Sequence, residues 1–103
     1  MGRRKYFYHG TLSGDLQVGD FIDPKVSGGG IGGTDALVHM FSDPEMAKSH
    51  AQYRRQLTGA GNPTVYKVTP ENGEAFGMSE GEGQETHFAT QGRAKILGRQ
   101  WQE

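Results

Sequence analysis

Short apolar runs alternate with polar, glycine-bearing stretches along this chain, and one segment repeats its apolar positions at helical spacing. Residues 5–9 carry three aromatics in succession, Tyr6, Phe7 and Tyr8, which predicts a strand. Alternation sends Tyr6 and Tyr8 to one face and Phe7 and His9 to the other. Gly10 and Thr11 are expected to leave the strand. Gly14-Asp15 and Gly19-Asp20 are turn signals, and the apolar pair Phe21-Ile22 stops at Asp23-Pro24. Residues 36–41 predict a second core strand. Ser42-Asp43-Pro44-Glu45 then reads as a helix start: Ser42 caps, Glu45 takes the reciprocal capping-box position, and proline is tolerated in a first turn. The helix is expected over 43–57, with Met46, His50, Tyr53 and Leu57 as its apolar stripe, widened by Ala47 and Ala51, and with Gly59 as its C-cap. Residues 64–69 predict a third strand rich in β-branched side chains, and 70–73 a turn. Residues 73–92 have no clear period and read as loop, and a last strand is expected around 94–97. Strands, one good helix and more strands give an α+β fold with a mostly β core, in a single domain over 1–103 whose first four residues are a flexible lead.

Composition narrows the chemistry. Glycine numbers 17 in 103 residues, more than twice its usual share, so many turns are expected. The absence of cysteine removes disulfides, thiolate nucleophiles and cysteine-based zinc sites. No apolar run approaches the roughly 20 residues of a membrane span. The basic opening residues are followed by a stretch too short and too polar for a signal segment. A cytoplasmic protein with no membrane partner is therefore expected. A net charge of −1 argues against a general nucleic-acid binder. Three basic groups, Arg3-Arg4-Lys5, Arg54-Arg55 and Arg93 with Lys95, read either as solvated surface or as a grip on a pyrophosphate. Residues 27–34 satisfy G-x-G-x-x-G at Gly28, Gly30 and Gly33, but no buried strand precedes them, so they read as a loop able to cover a ligand. His9, His39, His50 and His87 lack the spacing of a metal site, and no metal is expected. His50, on the helix stripe, reads as a packed ring, and Trp101 as a residue closing the core.

The triplet His9-Gly10-Thr11 is the most informative candidate site. It lies where an aromatic strand is expected to end, and strand ends collect sites. Histidine can donate or accept near neutral pH, Gly10 permits close approach of a flat ligand, and Thr11 adds a hydroxyl. Further along come Leu16-Gln17-Val18-Gly19-Asp20, then Val38-His39-Met40-Phe41-Ser42 leading into the helix, then Val68-Thr69-Pro70-Glu71, and finally Ile96-Leu97-Gly98-Arg99-Gln100-Trp101. In order and spacing this series resembles the rifamycin ADP-ribosyltransferase family along nearly the whole chain. That fold family also holds RNA 2′-phosphotransferases and many toxin ADP-ribosyltransferases.

The resemblance implies a split-sheet ADP-ribosyltransferase-like fold and NAD as substrate. Cleavage of the nicotinamide–ribose bond would pass through an oxocarbenium-like transition state. By resemblance His9 hydrogen-bonds the adenine-side ribose, the Gly10 backbone holds the carboxamide, Thr11 supports it, and Ser42 is the hydroxyl residue at the strand-to-helix junction. Two positions depart from the family pattern. Met40 stands where a tyrosine stacks on nicotinamide, with Phe41 the substitute if the register differs by one. No aspartate lies in 73–79, where the ribose-directed acid is expected; Glu85 or Glu80 is the candidate catalytic acid, with Glu74 and Glu82 also in the region. These readings make the chain an NAD-dependent ADP-ribosyltransferase with an open choice of acceptor. The alternative is an inactive binder of NAD, ADP-ribose or a related nucleotide, and a third possibility is a small β-rich interaction module.

Overall fold

The computed structural model describes residues 6–26, 36–77 and 87–103. Its elements are β1 (Phe7–Thr11), β2 (Phe21–Ile22), β3 (Lys25–Val26), β4 (Ala36–Phe41), α1 (Pro44–Thr58), β5 (Thr64–Pro70), β6 (Phe76–Gly77), β7 (His87–Thr90) and β8 (Ala94–Gln102). The sheet runs β2-β8-β5-β1-β4-β7-β6, antiparallel at every described pairing, and β3 pairs with the start of β4. Two register shifts between β5 and β8 bend the sheet into a half-barrel. This is the small, mostly β, one-helix architecture expected from the order of elements.

The two faces of the sheet bury different residues. Along β4, Val38 and Met40 enter a cluster with Phe7, Tyr66, Val68, Ala94 and Ile96, closed by Leu16, Ile22, Ala75 and Phe88. Phe41 turns the other way, to Ala47 of α1 and Val65 of β5, with Tyr8 and Trp101 at the margin. Trp101 thus does help to close the core, and Lys48 stands over its ring at 4.8 Å. The loop after β1 is tied down by Tyr66, whose hydroxyl donates to the carbonyl of Ser13 (2.9 Å) and accepts from the amide of Leu16 (3.0 Å). No described helix is long and apolar enough to cross a membrane.

Several local expectations are corrected. β1 does not stop at His9: it pairs with β5 as far as Thr11 opposite Thr64, so the His-Gly-Thr triplet lies inside the strand. Within 73–92, expected as loop, β6 and β7 extend the sheet beyond β4, while the loop predicted at 27–34 lies outside the described residues. Lys25–Val26 pairs with the start of β4 over two residues only. The last strand runs on to Gln102, because β5 offers partners along its whole length. The helix is capped by Asp43 rather than Ser42: its carboxylate accepts from the amide of Glu45 at 2.9 Å. Pro44 explains the shift, since a residue before proline is forced out of the helical region, and Asp43 sits at φ −117°, ψ 123°. Gly59 ends the helix with φ 72°, as expected.

Three of the four residues of the expected helix stripe face outward instead, and His50 alone turns inward, half-buried against Phe41. Met46, Tyr53 and Leu57 are 44%, 58% and 66% exposed, while Ala47 and Ala51 are wholly buried. The reason is proximity. A Cβ on Gly10 would land against the carbonyl oxygen of Ala47 and within 3.3 Å of the Ala51 methyl, so only alanines fit where α1 crosses β1. Gly10→Ala is expected to destabilise the fold by about 2 kcal/mol or more, because helix backbone rather than a flexible side chain must yield. Urea unfolding measures this, and a loss under about 0.5 kcal/mol would show that α1 is not held this close.

Candidate functional site

The sheet is continuous except where β1 meets β4. β1 pairs with β5 at five consecutive positions but with β4 only at Tyr8 opposite Phe41. Beyond that pair, His9, Gly10 and Thr11 part from Met40, His39 and Val38, which pair with β7. His9 bridges the gap: its Nδ1 lies 2.7 Å from the main-chain oxygen of His39. A carbonyl only accepts, so Nδ1 carries the proton, and in the neutral ring Nε2 is a lone-pair acceptor. Nε2 has no hydrogen bond within the described residues. Burial pushes the His9 pKa down to about 4, opposed by the bond to His39 and reinforced by His50, His39 and Arg54. The ring is therefore uncharged at neutral pH.

All four histidines of the chain gather at this place. His39 Nδ1 and His87 Nε2 are 3.0 Å apart. The His87 ring stacks on Phe41 at 5.0 Å between centroids and 15° between planes, and His50 of α1 lies against the same phenyl ring at 5.5 Å. Burial is the main force lowering the pKa of His39, His50 and His87, and Arg54 also lowers that of His50. Among the described residues no carboxylate acts on any of the four rings, and no three His, Asp or Glu side chains converge as metal donors. Sequence spacing hid this cluster because its members come from four separate elements. The available signal was the alternation in β4, which places His39 and Phe41 opposite the core residues Val38 and Met40.

The residues singled out in the sequence fall into distinct positions. His9 stands in the gap, half-buried. The glycine face of Gly10 is filled by α1, so the missing side chain serves helix packing. The Thr11 hydroxyl accepts from the Ser13 amide at 3.3 Å, in a local turn. Met40 is wholly buried in the core away from α1 and has no surface to offer a flat ligand. Phe41 is 8% exposed, its ring held between His87 and His50. Ser42 is half-buried at the strand-to-helix junction. Glu80, Glu82 and Glu85 lie outside the described residues, as do Arg3, Arg4 and Lys5, and Glu74 is exposed on its turn. Of the basic residues, Arg93 is already engaged by both carboxylate oxygens of Glu71 (2.6 and 2.8 Å), whereas Arg54 stands close enough to influence His9 and His50. A shallow cavity of about 310 Å³ lies elsewhere, lined by Gln52, Arg55, Gln56, Pro63 and Glu103, and includes none of the histidines.

The neutral histidines link stability to pH. An unfolded His9 titrates near 6.5 and the folded one near 4. Folding thus excludes a proton between these values, and the stability carried by the neutral ring is complete above about pH 6.5 and lost as pH falls towards 4. His39, His50 and His87 act with the same sign. In urea unfolding with EDTA present, the His9 share of the loss from pH 7 to pH 4.5 is expected to be on the order of 2 kcal/mol. His9→Asn is expected to flatten the profile; an equally steep profile in that variant would place the linkage on other groups.

No protein-family model matches this chain, and neither does any curated protein.

Proposed function

We propose that the chain binds NAD where β1 and β4 part, and acts as an ADP-ribosyltransferase of the rifamycin-transferase type in the cytoplasm. The observation that carries this reading is the break in the β1–β4 ladder with His9 set into it. A ladder that parts at this point is compatible with the split sheet that the resemblance implies, and supports the reading to that extent. A neutral imidazole whose Nδ1 is committed to a carbonyl presents Nε2 as an acceptor, and an acceptor suits a ribose hydroxyl. Arg54, on the adjoining helix, supplies positive charge for a pyrophosphate. Under this reading NAD is the substrate, and Glu80 or Glu85 supplies the carboxylate facing the nicotinamide ribose. The acceptor of the ADP-ribosyl group is a hydroxyl of a small molecule, a protein side chain or a nucleic acid.

A second reading is favoured by two particular residues. Met40 is buried and Phe41 is already stacked, so neither ring nor thioether is free to sandwich nicotinamide. A site without that sandwich would hold NAD or ADP-ribose without cleaving it. Calorimetry with NAD and with ADP-ribose, beside an assay of nicotinamide release, separates the two. Release that requires Glu80 or Glu85 supports transfer; binding without release supports the binder. In either case His9→Ala is expected to weaken NAD binding by about three- to tenfold, the worth of one hydrogen bond. Unchanged affinity in a folded His9→Ala protein would remove His9 from the site.

A further inference from the structure

The pair His39 and His87 has a geometry that the nucleotide reading does not use. The two rings come from neighbouring strands, at diagonal positions of the β4–β7 ladder: His87 is opposite Phe41, and His39 is opposite Ala89. Their nearest nitrogens, Nδ1 of His39 and Nε2 of His87, are 3.0 Å apart, with ring centroids at 5.1 Å. One hydrogen bond explains that distance. So does a shared metal ion: two imidazole nitrogens each about 2.0–2.1 Å from one ion, at angles between a right angle and a tetrahedral one, are about 2.8–3.4 Å apart.

We propose that His39 and His87 form a two-imidazole chelate for a divalent late first-row transition metal, such as zinc or nickel, through Nδ1 of His39 and Nε2 of His87. Imidazole nitrogen suits these metals. The His87 ring is held in place by its stack on Phe41, so little side-chain freedom remains to be lost on binding. The proton balance is simple. Two neutral imidazoles hydrogen-bonded to each other share one N–H in the gap; metal entry requires that the donor ring move this proton to its other nitrogen. Both ligand nitrogens then present lone pairs and no proton is released to solvent. With two protein ligands, water or an exogenous donor completes the coordination, which makes the site exchangeable.

The test uses the whole chain without nucleotide, titrated with Zn²⁺ and with Ni²⁺ by calorimetry at pH 7.5. Expected is one metal per chain and a Tm that rises with metal concentration. His39→Gln and His87→Gln are each expected to weaken binding more than tenfold, while His50→Gln, which touches neither nitrogen, stays within about threefold. Imidazole ¹H–¹⁵N spectra of the wild-type chain with Zn²⁺ provide a readout that does not depend on the variants folding. They should show metal on Nδ1 of His39 and Nε2 of His87. Absence of binding at millimolar metal, equal losses in all three variants, or metal on other nitrogens would each overturn the proposal.

Discussion

A single hydrogen bond organises the centre of this molecule: the one from His9 Nδ1 to the main-chain oxygen of His39. Antiparallel neighbours normally exchange amide bonds along their whole overlap. Here the ladder between β1 and β4 ends after Tyr8 and Phe41, and the strands turn to different partners, β1 to β5 and β4 to β7. The imidazole spans the opening. It satisfies a carbonyl that the ladder has released, and in doing so it fixes its own tautomer and orientation. Burial keeps the ring uncharged, which suits it to the role of a short polar bridge.

The helix is the second half of the same arrangement. Gly10 lets α1 come down onto β1 with only Ala47 and Ala51 between them. That close approach sets His50 against Phe41, and Phe41 in turn carries the His87 ring. The absence of one side chain in β1 therefore positions a ring on the helix, which helps to order a ring on β7. The larger apolar residues of α1 are displaced to the outer face by the same close approach.

Much of the framework was legible in the chain. Strands over 36–41 and 64–69, the helix and its Gly59 end all follow from local pattern, because each depends on residues close in sequence. What was not legible depends on distant partners. β1 runs on to Thr11 only because β5 is there to pair with it. β6 and β7 are two and four residues long, too short for a period to register. The stripe on α1 has the right spacing, but the face that wins is chosen by the available distance to Gly10, a quantity absent from any local window. For the candidate site, His9 could be singled out from its neighbours in sequence. The grouping of the histidines could not, since Phe41 and α1 bring together residues separated by as many as 78 positions, His9 to His87.

Charge distinguishes the chemistry this histidine cluster can perform. Neutral imidazoles offer lone pairs and N–H groups, which can hydrogen-bond hydroxyls. Cleavage at the ribose carbon builds positive charge in the transition state, and stabilising it calls for a negative group close by. The charged neighbour felt by His9 and His50 is Arg54, which favours phosphates and disfavours an oxocarbenium-like centre. Among the described residues no carboxylate acts on the rings to offset it. Recognition and cleavage thus make opposite electrostatic demands on one small space. A chain that performs both must bring an acid to the ribose from the stretch containing Glu80, Glu82 and Glu85, on the side away from Arg54. A chain that only binds needs no more than the neutral bridge and the guanidinium beside it.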